Sequence, residues 1–158
     1  DEQFPVEGVS WLDCQEFLRK LTPPGTGWRF DLPSEWQWEF ACRANSPPPP
    51  DSKYVYGEPR VVGSDPANPW GLHDLFGGVA EWCRDVAGAE PFLISRDTPG
   101  RPGGQLRVTR GGEGTAPTTE RRANARRPEG YAVRRYGLGF RLAMVKDTVP
   151  ESSNTNHR

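Results

Sequence analysis

Glycine and proline interrupt the chain so often after residue 50 that long helices and long strands are excluded from that part. The chain has 18 Gly and 17 Pro among 158 residues, a share just below the level typical of disordered chains. It also has 6 Trp, 7 Phe and 4 Tyr, whose large rings can form a core. A chain of this length buries about 68–70% of its unfolded-state surface. The sequence therefore predicts one loop-rich domain with a real core.

Two helices are predicted before residue 50, and each has a recognisable start. Ser10 is an N-cap residue for a helix over residues 11–21, in which apolar residues recur every three or four positions. Ser34 and Gln37 have the spacing of a capping box at the start of a second helix. A proline-glycine segment ends the first helix, and four consecutive prolines end the second.

The rest of the chain is predicted as short strands between long loops. Strands are expected where apolar, aromatic or β-branched residues cluster, at residues 54–56, 106–110 and 139–145. Irregular loops are expected over much of residues 84–105 and 111–137, and a polar tail over residues 147–158.

Charge and hydropathy exclude several classes of protein. No apolar segment approaches the roughly 18 residues needed to cross a bilayer. The net charge of −1 disfavours a general nucleic-acid-binding protein. No signal peptide is visible and the number of cysteines is odd, so we expect a cytoplasmic protein.

The three cysteines, Cys14, Cys42 and Cys83, are far apart and form no Cys-x-x-Cys motif. His73 and His157 are equally isolated, which disfavours a structural zinc site. One disulfide with a free thiol stays open as an alternative. Three buried thiols in a reducing compartment is the simpler prediction.

The tryptophans are predicted to divide into two groups. Core positions are expected for Trp11, Trp38 and Trp82, which fall on motif positions of the sequence blocks described in the next paragraph. The positions of Trp28 and Trp70 are left open. Trp36, in the first turn of the second helix, is a candidate for exposure to solvent.

Five blocks of sequence follow one another in a specific order, at residues 5–11, 32–41, 68–82, 107–112 and 138–142. They begin with Pro-Val-Glu-Gly-Val-Ser-Trp and include the central run Asn-Pro-Trp-Gly-Leu-His-Asp-Leu-Phe-Gly-Gly-Val-Ala-Glu-Trp. In this order they resemble the formylglycine-generating enzyme/sulfatase-modifying-factor domain family. The resemblance implies an α+β, C-type-lectin-like fold with two helices, short strands and much irregular loop. It places the domain at residues 1–146, with the N-terminal part of the usual domain expected to be absent.

The resemblance also shows which family chemistry is missing. Family enzymes that oxidise a sulfatase cysteine hold copper(I) with two cysteines beyond the Arg-Gly-Gly block, and residues 113–139 contain none. A related branch that makes sulfoxide bonds uses iron held by a histidine cluster, which two distant histidines cannot supply. We therefore expect no catalytic residue and no copper, iron or zinc site.

A calcium site is implied by the central block. In family members the ion is held by one side-chain oxygen, two backbone carbonyls and a Glu, and the matching positions are Asp74, Gly77, Val79 and Glu81. Calcium prefers several oxygen ligands of this kind. The alternative is that the two carboxylates brace the glycine-rich turn through hydrogen bonds to backbone amides.

Arginine is concentrated between residues 101 and 145, where ten arginines stand against three glutamates and no lysine. The forked guanidinium group suits carboxylates and other anions. We predict a surface for an anionic or carboxylate ligand, formed by Arg110, Glu113, Arg122, Asn124, Arg126, Arg127 and Tyr131. The alternative is that these arginines are structural and pair with acidic residues of the N-terminal half.

The leading functional hypothesis is a pseudoenzyme: a non-catalytic ligand- or protein-binding module, part of a larger bacterial protein. Its expected partners are a protein, an anionic ligand or other domains of the parent protein. One alternative is an oxidoreductase of the same superfamily with altered chemistry. A further alternative is a variable ligand-display protein of a diversity-generating retroelement.

Overall fold

The computed structural model describes residues 3–21, 27–46, 60–87, 106–111 and 126–146. Two helices and six strands lie in this part of the chain, in the order α1 (Trp11–Leu21), β1 (Trp28–Asp31), α2 (Glu35–Arg43), β2 (Ala80–Val86), β3 (Leu106–Arg110), β4 (Arg126–Gly130), β5 (Leu138–Gly139) and β6 (Ala143–Lys146). The predicted strand at residues 54–56, the four prolines 47–50 and the tail 147–158 lie outside the described residues.

Both helices begin where their caps predict. The Ser10 hydroxyl accepts a hydrogen bond from the Asp13 amide at 3.1 Å, and the Asp13 carboxylate accepts one from the Ser10 amide at 2.8 Å. Ser34 and Gln37 form the predicted capping box. α2 ends at Arg43, and its C-cap residue Ala44 has a left-handed φ of 43°. Within the described residues, no helix has the length and hydropathy that a membrane span requires.

The strands form two sheets. One has four strands in the order β4-β3-β2-β5, and the other pairs β1 with β6 in antiparallel orientation. β2 is central: it pairs antiparallel with β3 and parallel with β5. β4 pairs with β3 over five residues, at one edge of the larger sheet.

The continuous strand predicted at residues 139–145 is interrupted. Leu138 and Gly139 pair with β2, whereas Ala143–Lys146 pair with β1 in the other sheet. Between the two strands, Phe140 packs against the core and Arg141 donates to the carboxylate of Glu81 in β2. The predicted loops 84–105 and 111–137 are also too long, since β2 continues to Val86 and the second loop contains β4.

Two apolar clusters flank β2. Successive residues of a strand point to opposite faces of a sheet, so Trp82 and Cys83 face different helices. Trp82 packs in a cluster with α1, whose buried members are Cys14, Leu18, Leu32, Ala80, Trp82 and Leu138. Cys83 packs in a second cluster with α2, whose buried members are Trp38, Cys42, Leu75, Cys83 and Val108. β2 therefore connects both halves of the core.

Candidate functional site

Glu81 carries a buried carboxylate that three N–H groups contact. β2 places it on the face toward α2, where the residue is 6% exposed. Trp38 Nε1 donates to Oε2 at 2.6 Å, and Arg141 Nη2 donates to Oε1 at 2.6 Å while its Nε donates to Oε2. Burial alone would lower the pKa of Arg141, but the hydrogen bonds and charge of Glu81 outweigh it and raise that pKa. The pair thus joins α2, β2 and the segment after β5.

Asp74 braces the turn that precedes β2. Its two carboxylate oxygens accept hydrogen bonds from the backbone amides of Gly63 and Asp65, at 2.5 Å and 3.0 Å. Asp74 itself has a left-handed φ of 59°. Burial, and then the charge of Asp74, raise the pKa of Asp65. For Asp74, these are the hydrogen bonds to backbone amides that the alternative to a calcium site predicts.

The four residues predicted for calcium, Asp74, Gly77, Val79 and Glu81, all lie in the described part of the chain. Both carboxylates already accept hydrogen bonds, and Arg141 supplies a positive charge beside Glu81. Among the described residues, no group of three or more His, Cys, Asp or Glu side chains is arranged to hold a metal. The predicted site is not a group of this kind, because it combines two carboxylates with two backbone carbonyls, and calcium stays a prediction.

The arginines predicted to bind ligand lie in different environments. The Arg110 side chain is 4% exposed, and its Nη2 lies 2.8 Å from Glu35 and 2.9 Å from Glu39 of α2. Arg126 Nε lies 2.9 Å from the same Glu35. Arg127 is exposed in β4, and the described residues also include the partly buried Tyr131. The other three predicted ligand residues, Glu113, Arg122 and Asn124, lie outside the described residues.

Several described arginines pair with acidic residues of the N-terminal half, as the structural alternative predicts. Besides the pairs of Arg110 and Arg126 with Glu35, Arg134 forms a two-pronged pair with Asp13 of α1, with both N–O distances at 2.7 Å. Hydrogen bonds from Arg134, and then from Ser10, hold the pKa of Asp13 well below its usual range. Arg110 and Arg126 thus tie β3 and β4 to α2, and Arg134 ties the segment between β4 and β5 to α1.

The three thiols are buried and reduced, in α1, α2 and β2. Burial raises the pKa of Cys14 to about 12. Burial and the charge of Glu81 raise the pKa of Cys42 to about 12, and Cys83 is shifted in the same direction for the same two reasons. A thiolate is the reactive form of cysteine, so these groups are poor nucleophiles and poor metal ligands in the folded protein.

We expect none of the three thiols to react with a disulfide reagent in the native protein at pH 8, because both burial and the raised pKa oppose thiolate formation. All three should react once the chain is unfolded in guanidinium chloride. The measurement is a spectrophotometric thiol count with and without denaturant. A thiol that reacts within seconds in the native protein would contradict this assignment and would favour a redox role.

The tryptophans at the predicted core positions donate hydrogen bonds from their indole N–H groups to other residues of the protein. Trp38 and Trp82 are buried, and their Nε1 atoms donate to Glu81 and to the Val9 carbonyl. Trp11 is partly buried and donates to the Cys83 carbonyl at 3.1 Å. Each of these three tryptophans therefore has a structural role, as predicted.

Trp36, Phe40 and Trp70 form what we term the aromatic surface. Trp36 is 79% exposed, Phe40 59% and Trp70 46%. Trp36 and Phe40 are four residues apart and so share one face of α2. The rings of Phe40 and Trp70 meet edge to face, with centroids 5.0 Å apart and planes at 71°. In the described part of the chain, no acceptor contacts the indole N–H of Trp36 or of Trp70.

Asn68 fixes Trp70 against α2. Its Nδ2 donates to the Ala41 carbonyl at 2.7 Å, which anchors the loop to the last turn of the helix. Its Oδ1 accepts hydrogen bonds from the amides of Trp70 and Leu72, at 3.0 Å and 3.1 Å. The aromatic surface is therefore held by a helix and by a hydrogen-bonded turn.

Sequence reasoning identified Trp36 as a candidate for exposure but did not predict the aromatic surface. A signal is present in α2, where Trp38 and Cys42 form one apolar stripe and Trp36 and Phe40 form another. A helix that packs on one side needs only one such stripe. The contribution of Trp70 depends on the folded position of a distant loop and has no local signal.

Comparison with known proteins finds a family model and related kinases that match most of the chain. The family model for sulfatase-modifying factor enzyme 1-like domains matches residues 1–60 and 46–146. The serine/threonine-protein kinase pkn1 of Chlamydia pneumoniae is 33% identical over 125 residues, and the kinase of the same name from Chlamydia caviae has the same identity. These matches cover 68% of the chain but only 19% of each kinase, so the chain spans about a fifth of their length.

Solved structures support the α+β, C-type-lectin-like fold. PvdO from Pseudomonas aeruginosa has a TM-score of 0.68 and 24% identity, covering 91% of this chain and 62% of that protein. Treponema denticola variable protein 1 has a TM-score of 0.70 and 23% identity, covering 92% of this chain and 72% of that protein. At these identities the likeness establishes the fold alone.

Proposed function

Because the chain belongs to the family of sulfatase-modifying factor enzyme 1-like domains, we propose that it uses the family scaffold for recognition, as a non-catalytic protein-binding module of a larger bacterial protein. The aromatic surface is the observation that carries this proposal. Exposed aromatic rings grouped on a rigid framework are typical of the central contacts of protein interfaces. Scattered single apolar residues would not support the same conclusion.

The chemistry of the described residues supports recognition rather than oxidation. The three thiols lie in the cores on either side of β2, and their pKa values are raised. The curated relatives are kinases about five times as long as the matched region, which supports the role of a module within a larger protein.

A protein partner is favoured over an anionic ligand at this surface. Arg43, which lies on the same side of α2 as Phe40, is paired with Glu39 at 2.7 Å. Arg110 and Arg126 are paired with carboxylates of α2. The aromatic surface thus presents apolar rings without an unbalanced charge, and these rings suit apolar side chains of a partner.

A display selection tests the proposal. The chain is immobilised, and a library of random peptides is selected on it and then on the Trp36→Ala and Trp28→Ala variants. Trp28 is the matched control, an exposed tryptophan of β1 whose ring lies beneath the Lys146 ammonium group. We expect peptides that bind wild type and Trp28→Ala but lose at least tenfold in affinity with Trp36→Ala. The proposal is overturned if no selected peptide depends on Trp36.

A further inference from the structure

We draw no further inference here: the strongest candidate, the aromatic surface that Trp36, Phe40 and Trp70 form on the outer side of α2, belongs to the site already described, and nothing in the described part of the chain shows what covers it.

Discussion

Replacing Arg141 with alanine is expected to lower the free energy of unfolding by about 3 kcal/mol. The change removes both Arg141 hydrogen bonds from the Glu81 carboxylate, whose side chain is 8% exposed, while the Trp38 indole N–H still donates to it. Removing one partner of a buried ion pair is costly because the other charge loses its compensation without regaining water. For a chain of this size the loss corresponds to a fall of roughly 6–12 °C in melting temperature.

Chemical denaturation and thermal melting measure this effect, and two variants control it. Arg19→Ala removes an arginine that pairs with Glu16 on the exposed face of α1, and it should change stability by less than about 0.5 kcal/mol. Arg141→Lys keeps the charge but not the two-pronged geometry, so its loss should be intermediate. If Arg141→Ala is as stable as Arg19→Ala, the pair with Glu81 does not hold the sheets and α2 together.

The same melts bear on calcium. Because Arg141 and backbone amides contact the two predicted carboxylates, the alternative in which these groups only brace the turn predicts equal melting temperatures for wild type in calcium and in a chelator. A clear rise with calcium would show instead that the ion joins the predicted ligands around Asp74 and Glu81. In the Arg141→Ala variant the Glu81 carboxylate has lost its cationic partner, so any rise in melting temperature with calcium should be largest in that variant.

The helices were predictable because their signals are local. Ser10 with Asp13, and Ser34 with Gln37, satisfy the first amides of each helix within four residues of sequence. The strands were harder to predict, because a strand depends on what lies beside it. β4 has the sequence Arg-Arg-Pro-Glu-Gly, which contains no strand-favouring residue, and it is extended because all five residues pair with β3.

The candidate site was predictable in composition but not in arrangement. The arginine excess indicated guanidinium groups with carboxylate partners, and it left open whether those partners were ligands or residues of the chain. The pairing of Arg110 with Glu35 joins residues 75 positions apart, which no local pattern specifies. The aromatic surface also depends on a long-range contact. Two of its rings can be read from the sequence of α2, but the third comes from a distant loop that Asn68 holds against the helix.

At Arg110, a structural role and a ligand-binding role predict opposite effects of a substitution on the stability of the fold. Its side chain is 4% exposed and contacts both Glu35 and Glu39, so Arg110→Met should lower the free energy of unfolding by about 3–4 kcal/mol. Glu35 would keep its pair with Arg126 and Glu39 its pair with Arg43, but the buried cation that both carboxylates share would be lost. A residue that serves a ligand would instead be removable with little loss of stability in the free protein.

Two comparisons distinguish these roles by equilibrium unfolding. Arg127→Met, at an exposed position of the neighbouring strand β4, should cost less than about 0.5 kcal/mol. Adding Glu39→Gln to Arg110→Met should recover about 1 kcal/mol, because it removes one of the two charges that have lost this cation. If Arg110→Met is neutral, the ion pairs with α2 do not stabilise the fold, and the anion-binding hypothesis for this arginine regains support. If the loss and the partial recovery both appear, the charge of Arg110 is used within the domain, and the anion-binding hypothesis for this arginine loses its support.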